Sequence, residues 1–228
     1  MTATREEVEA LLEEHDFRYH RVPLPHGLAT PGRDRTDTAD LVFRDSLEGK
    51  SVLDVGCALG FFCFDAEKRG ARRVMGAELK DDRFEHANLL KGVLESEVEF
   101  VKRNLLETEP EETFDVVLAL NLIHHLPEPI TALRRLSALA NERLVLEFPT
   151  FADPKFRKQA GIRFWRLYDR RPLIGVSTKK IDQTFVFTRG AIRRILRDHC
   201  GIRDVTFAKS PMEGRTIAFC ETKRGSRA

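Results

Sequence analysis

The run Val52-Leu53-Asp54-Val55-Gly56-Cys57-Ala58-Leu59-Gly60-Phe61-Phe62 constrains the fold of this chain more than any other stretch. Residues 51–55 are a short, mostly apolar run that reads as a buried parallel strand. The run ends in two glycines four residues apart and then enters a helical pattern. Strand, glycine turn and helix in that order bring the backbone close to a nucleotide-like ligand. The alternation continues along the chain. Strands are predicted over 51–56, 72–78, 97–102, 114–120 and 142–148, with helices over 60–70, 82–94 and 128–139. Such alternation predicts an α/β fold with a doubly wound, parallel sheet. A helix over 189–199 and strands over 202–208 and 215–221 follow, the last two as a hairpin around Pro211 and Gly214.

Glu78 closes the second strand, 22 residues after Gly56. A carboxylate at that strand tip can accept both hydroxyls of a ribose. The details point away from NAD, because Ala58 and Phe61 replace the second and third glycines of the dinucleotide fingerprint G-x-G-x-x-G. Asp54 sits where an anionic pyrophosphate would approach, and it suits a cationic ligand instead. S-adenosylmethionine (SAM) carries a ribose, an adenine, an ammonium and a sulfonium. With Asp54-Val55-Gly56-Cys57-Ala58-Leu59-Gly60 the chain resembles the class I SAM-dependent methyltransferases, whose first motif is an acid followed by G-x-G-x-G; Ala58 is the one departure. The resemblance covers residues 45–220. It implies a Rossmann-like, seven-stranded, mostly parallel sheet whose last strand is antiparallel. It also implies SAM as cofactor and S-adenosylhomocysteine as product. Asp54, Gly56, Cys57, Ala58 and Gly60 would then bind the methionine end, Glu78 the ribose, and Leu79 the adenine face. Asn104 stands where the family commonly has an acid at the adenine amino group, and its carbonyl can accept the same hydrogen bond. Leu105 and Asn121 complete the cofactor-binding set.

The fourth strand runs into Asn121-Leu122-Ile123-His124-His125-Leu126-Pro127, which resembles the family's fourth motif with its His-His-Leu-Pro ending. Ligands of such folds sit at the carboxyl edge of the sheet, where the strand order switches. A histidine there suits proton removal from a hydroxyl at neutral pH, so His124 and His125 are the candidate bases. Glu147, near the end of the fifth strand, could bind a substrate hydroxyl, act as base, or share a divalent cation with Asp153 and a histidine. Family members that need Mg²⁺ usually show a clearer carboxylate set, and no metal ligand is assigned. Residues 150–187 break the α/β alternation and read as a substrate-covering insertion. They hold Trp165, the only tryptophan, with Phe151, Phe156, Phe164 and Tyr168, and the cations Arg163, Arg166, Arg170, Arg171, Lys179 and Lys180. Aromatics among cations could stack a base or sugar ring and grip an anion.

The remaining features bound the function class. Residues 1–228 are expected to form a single domain, with an amphipathic helix over 5–15 and a Pro- and Gly-rich lid loop over 20–37 ahead of the sheet. Thr38 is the expected cap of a short helix over 39–47. The four cysteines are scattered without C-x-x-C pairs, as in a reduced, cytoplasmic protein. The first residues have no apolar core of a signal peptide, and no stretch approaches the roughly 18 apolar residues of a membrane span. From Lys155 onward there are 19 Lys and Arg against 6 Asp and Glu, while residues 1–154 carry a net −11. That asymmetry suits an anionic small molecule or RNA. The stretch Leu24-Pro25-His26-Gly27-Leu28-Ala29-Thr30-Pro31-Gly32, with Leu144-Val145-Leu146-Glu147 and Phe187-Thr188-Arg189, is similar to the subgroup containing the tRNA wobble-uridine carboxymethyl/methyl transferases. The long N-terminal region of those tRNA enzymes is missing here. The reading is therefore a SAM-dependent methyltransferase that O-methylates a hydroxylated small molecule such as a saccharide or natural product. The alternatives are a tRNA- or RNA-modifying methyltransferase and a non-catalytic SAM-binding partner subunit.

Overall fold

A computed structural model describes residues 3–108, 110–154, 156, 158, 165–176 and 185–222. The chain divides into two compact units, Met1–Leu105 and Leu106–Ala228.

In the first unit, helix α1 (Arg5–Glu14) starts in a reciprocal cap: Thr4 Oγ1 accepts from Glu7 N, and Glu7 Oε2 accepts from Thr4 N. Helix α2 (Thr36–Val42) leads to strand β1 (Ser51–Val55), which is buried along its whole length. Helix α3 (Phe61–Lys68), strand β2 (Arg73–Ala77), helix α4 (Asp81–Leu94) and strand β3 (Glu99–Val101) follow. Strands β1, β2 and β3 pair in parallel, with Asp54 opposite Gly76 and Gly76 opposite Phe100. Burial on both faces explains why β1 and all of β2 after Arg73 read as apolar runs rather than alternating ones.

In the second unit, strand β4 (Phe114–Leu120) is followed by a 3-10 turn, Ile123–His125, then helix α5 (Pro129–Leu139) and strand β5 (Ala140–Pro149). Beyond β5 lie a short helix α6 (Trp165–Tyr168) and an antiparallel pair, β6 (Ile174–Val176) with β7 (Phe185–Phe187). Helix α7 (Arg189–Cys200) buries Ala191, Ile192, Ile195 and Leu196. Strands β8 (Asp204–Lys209) and β9 (Arg215–Glu221) close the chain as a hairpin. Strand β5 is parallel to β4 and antiparallel to β9. The seven long-sheet strands follow the order β3-β2-β1-β4-β5-β9-β8, so the fold is α/β with a mostly parallel sheet and an antiparallel last strand, as expected.

Two local expectations change. The helix before β1 spans Thr36–Val42 rather than 39–47, and Thr38 lies inside it. The turn begins earlier because Asp34 Oδ1 accepts the Thr36 N–H at 2.8 Å, and Thr38, now buried, accepts instead from Arg35 Nε at 3.3 Å. The segment after β5 also contains the β6–β7 pair, which the sequence reading left without strands. Thr188 ties that pair to α7. Its hydroxyl donates to Arg171 O at 2.5 Å and accepts the N–H of Leu173 and Ala191, and Asp169 pairs with Arg189. Of the residues singled out in this segment, Arg163, Phe164, Lys179, Lys180 and the Trp165 side chain lie outside the described residues. Phe156 is buried, and Arg166, Tyr168, Arg170 and Arg171 are exposed.

Two glycines of the first unit are required by contact with one ring. A Cβ on Gly60 would stand 2.5 Å from the Phe100 ring, and one on Gly76 would stand 2.8 Å from both that ring and Cys57 Sγ. Phe64 packs edge-on to the same ring at 5.6 Å. Gly76→Ala is therefore expected to overpack the strand and cost about 1–3 kcal/mol, seen as a lower urea midpoint at unchanged slope. An unchanged midpoint would show that Phe100 moves freely.

Candidate active site

The first unit holds the glycine loop. Gly56, Ala58 and Gly60 all have positive φ, at 79°, 51° and 79°. Glycine enters that region at no steric cost, whereas alanine does not; the Gly-x-Ala-x-Gly spacing is thus a backbone requirement met imperfectly at Ala58. The loop is anchored to β2, because Gly56 N and Cys57 N both donate to Ala77 O. Cys57 and Cys63 are buried and hydrogen-bonded to each other, and burial pushes the Cys63 thiol up.

Glu78, at the end of β2, is buried and faces this loop. Its Oε2 accepts from Ala58 N at 3.0 Å, and its Oε1 accepts from Leu79 N and Lys80 N, each at 2.9 Å. Leu79 beside it is 53% exposed, which leaves an apolar surface open to a ligand. Asn104 is half-buried after β3, and Leu105 is buried. Asp54 lies on β1 at 2% exposure. Burial and the Glu78 charge raise its pKa to about 7, and the Arg35 cation opposes them. Arg35 is itself buried, with its guanidinium 5.2 Å from the Phe62 ring centroid. Sequence reasoning missed Arg35, since nothing local marks a buried arginine in a charged loop.

The second unit holds the residues that follow β4. Asn121 adopts φ 57°, and its N–H donates to Glu147 O at 2.8 Å. Its side-chain Nδ2 donates to Glu147 Oε2. Glu147 is fully buried and also accepts from Ser210 Oγ at 2.5 Å. Asn121 Oδ1 is buried with no hydrogen-bond partner among the described residues. His124 is fully buried, and both its ring nitrogens lack a partner among the described residues. Burial, His125 and Arg215 lower its pKa to about 2. His125 is exposed, with its ring centroid 4.1 Å from that of His124. The structure thus brings Asn121, Glu147 and Ser210 together and separates the two histidines by exposure. Ser210 was missed because its partner is 63 residues away in sequence. Asp153 is buried near Gly214, whose added Cβ would meet it at 2.4 Å. No group of three or more His, Cys, Asp or Glu among the described residues is placed to hold a metal ion.

Two measurements test this electrostatic and conformational account. Between about pH 4 and 7 native Asp54 keeps a proton that the unfolded chain has lost, so the native state binds more protons and stability falls as pH rises through that window. Asp54→Asn should lose this component, read by urea unfolding at pH 5 and pH 8; identical pH slopes in both proteins would refute it. Ala58→Gly should raise stability by up to about 1 kcal/mol by relieving the positive φ, and a lower unfolding midpoint would contradict that.

A family model for a methyltransferase domain matches residues 33–199. A ubiquinone biosynthesis O-methyltransferase of Neisseria meningitidis serogroup C is 34% identical over 114 residues, which cover 48% of this chain and 48% of that protein. The chain thus spans about half the length of the curated relatives it matches. Among solved structures, the N-terminal domain of EvdMO1 with SAH bound aligns with a TM-score of 0.69 at 14% identity, covering 96% of each chain. Magnesium protoporphyrin IX methyltransferase from Synechocystis PCC 6803, with SAH bound, aligns with a TM-score of 0.61 at 19% identity, covering 82% of this chain and 81% of that one. These structural likenesses carry the fold. The family match extends over most of the chain and contains the glycine loop, Glu78 and both histidines: the protein belongs to the SAM-dependent methyltransferases.

Proposed function

We propose that the protein O-methylates a hydroxylated small molecule, with His125 as the base. The observation that carries this reading is the contrast within the histidine pair. His125 is exposed on the turn after β4, while His124 beside it is fully buried and held neutral. An imidazole open to a ligand can take a hydroxyl proton near neutral pH; one whose pKa has fallen to about 2 is a weak base. Curated relatives are O-methyltransferases of ubiquinone biosynthesis, which supports transfer to oxygen.

The first unit fits SAM on its own observations. A buried carboxylate whose pKa has risen to about 7 is stabilised as the anion by a cationic group, and the SAM ammonium is one. Asp54, Gly56, Cys57, Ala58 and Gly60 would hold the methionine end. Glu78 has three backbone N–H donors on its carboxylate. About four lone-pair sites on such a group leave room for a ribose hydroxyl. Exposed Leu79 would cover the adenine face, with Asn104 and Leu105 at its edge. Bound SAM would supply a methyl group already activated by sulfonium. The work left to the chain is orientation of the acceptor and removal of its proton.

Incubating the protein with methyl-labelled SAM and two fractions of source-cell extract, small metabolites and total RNA, tests the acceptor class. Label is expected in the metabolite fraction. Label in RNA alone would overturn the small-molecule reading and make the basic C-terminal residues the binding face. His125→Ala should lower turnover about a hundredfold or more, whereas His124→Leu should keep it within several-fold. Full activity in His125→Ala would remove the base assignment.

A further inference from the structure

Glu147 and Asn121 form a device that the histidine base does not use. Asn121 gives its main-chain N–H to Glu147 O at 2.8 Å, and its side-chain Nδ2 donates to Glu147 Oε2 and to Met212 Sδ at 3.6 Å. Ser210 Oγ holds the other carboxylate oxygen at 2.5 Å, and Met212 N in turn donates to Ser210 Oγ at 2.9 Å. With the NH₂ facing a carboxylate, the Asn121 amide has one orientation. Its Oδ1 faces away, buried and without a partner among the described residues.

Leaving a buried amide oxygen unsatisfied incurs its desolvation cost with nothing gained in return. The positive φ of Asn121, 57°, adds backbone strain at the same residue. The hydrogen bond accepted behind the amide fixes its orientation and strengthens Oδ1 as an acceptor. The partner that Oδ1 lacks must therefore be a donor, O–H or N–H. His125, the exposed residue that removes the acceptor's proton, is four residues further along the same turn.

In place of the cofactor contact that the family resemblance implies for Asn121, we propose that its Oδ1 accepts a hydrogen bond from a donor group of the methyl acceptor, distinct from the proton that His125 takes. Glu147, braced by Ser210, is the positioning residue that fixes the amide for this task, rather than a base. The inference rests on the small-molecule O-methyltransferase reading above.

The test compares the wild-type protein with Asn121→Ala, Glu147→Met, Glu147→Gln, Ser210→Ala and the Asn121→Ala/Glu147→Met double variant. Two probes are used: S-adenosylhomocysteine binding by calorimetry, and label transfer from saturating methyl-labelled SAM to a dilution series of the small-metabolite fraction. S-adenosylhomocysteine affinity should stay within about twofold throughout. The half-saturating amount of the fraction should rise about tenfold in Asn121→Ala and Glu147→Met, the size of one lost hydrogen bond. The double variant should be no worse than Asn121→Ala, because Glu147 acts through Asn121. Glu147→Gln should stay near wild type, since a glutamine carbonyl still accepts from Asn121 Nδ2. Loss of turnover in Glu147→Gln would mark Glu147 as a base and overturn the proposal. A parallel fall in S-adenosylhomocysteine affinity would assign the donor to the cofactor's ammonium and overturn it too. If Glu147→Met does not fold, Ser210→Ala reads the same brace and should give a smaller rise in half-saturation; no rise there overturns the bracing role. Wild-type protein that binds S-adenosylhomocysteine but labels nothing in the fraction would sink the O-methyltransferase reading and this inference with it. Variants that all match an active wild type would sink the inference alone.

Discussion

Three backbone N–H groups converge on the carboxylate of Glu78, and the geometry of the first unit follows from that convergence. Ala58 N comes from the glycine loop, and Leu79 N and Lys80 N come from the turn into α4. A carboxylate bonded to several main-chain amides is held rigidly in place. The loop it grips is one that resists its own conformation, because Ala58 stands at positive φ. From the other side, Phe100 presses on Gly60 and Gly76, so the loop is confined by a ring as well as tethered by a charge. The open apolar surface at Leu79 lies directly beside this tether, so a rigid frame and an exposed apolar side chain stand next to each other.

The second unit uses a buried carboxylate in a different way. Glu147 gathers side-chain donors rather than backbone ones: Asn121 Nδ2 from the end of β4, and Ser210 Oγ from the β8–β9 hairpin. Since β5 pairs with both β4 and β9, the carboxylate joins the strand ends on either side of it. Removing a buried acceptor of this kind orphans its donors, so its effect reaches beyond its own strand.

How much of this was legible follows from the range of each interaction. The alternation of strands and helices through residues 51–149 is local, and every long-sheet strand was found within a few residues. Gly56, Gly60 and Glu78 were readable because their spacing is imposed by one turn and one strand. Thr38 was misplaced because an Asp34 side chain two residues from Thr36 decided the start of the helix. The β6–β7 pair was missed because three-residue strands show too short a period to read. Ser210 and Arg35 were invisible for a common reason: their importance lies in burial beside residues distant in sequence, and neither residue type announces burial. The histidine pair was found as a pair, but its division into a buried, neutral member and an exposed one required the fold.

Asp54 and Glu78 carry the charge balance of the first unit. Glu78 has three amide donors on its carboxylate, and its charge acts on Asp54. Asp54, equally buried, has Arg35 as its opposing cation, and the balance still leaves its pKa near 7. In one buried neighbourhood, the charge of one carboxylate disfavours ionisation of the other, and added positive charge favours it. An anionic pyrophosphate would raise the Asp54 pKa further, while an ammonium would lower it and be held more tightly as it did so. On the proposed reading, the charge arrangement would discriminate between two nucleotide-like ligands that the glycine loop alone would admit, through the ionisation of Asp54.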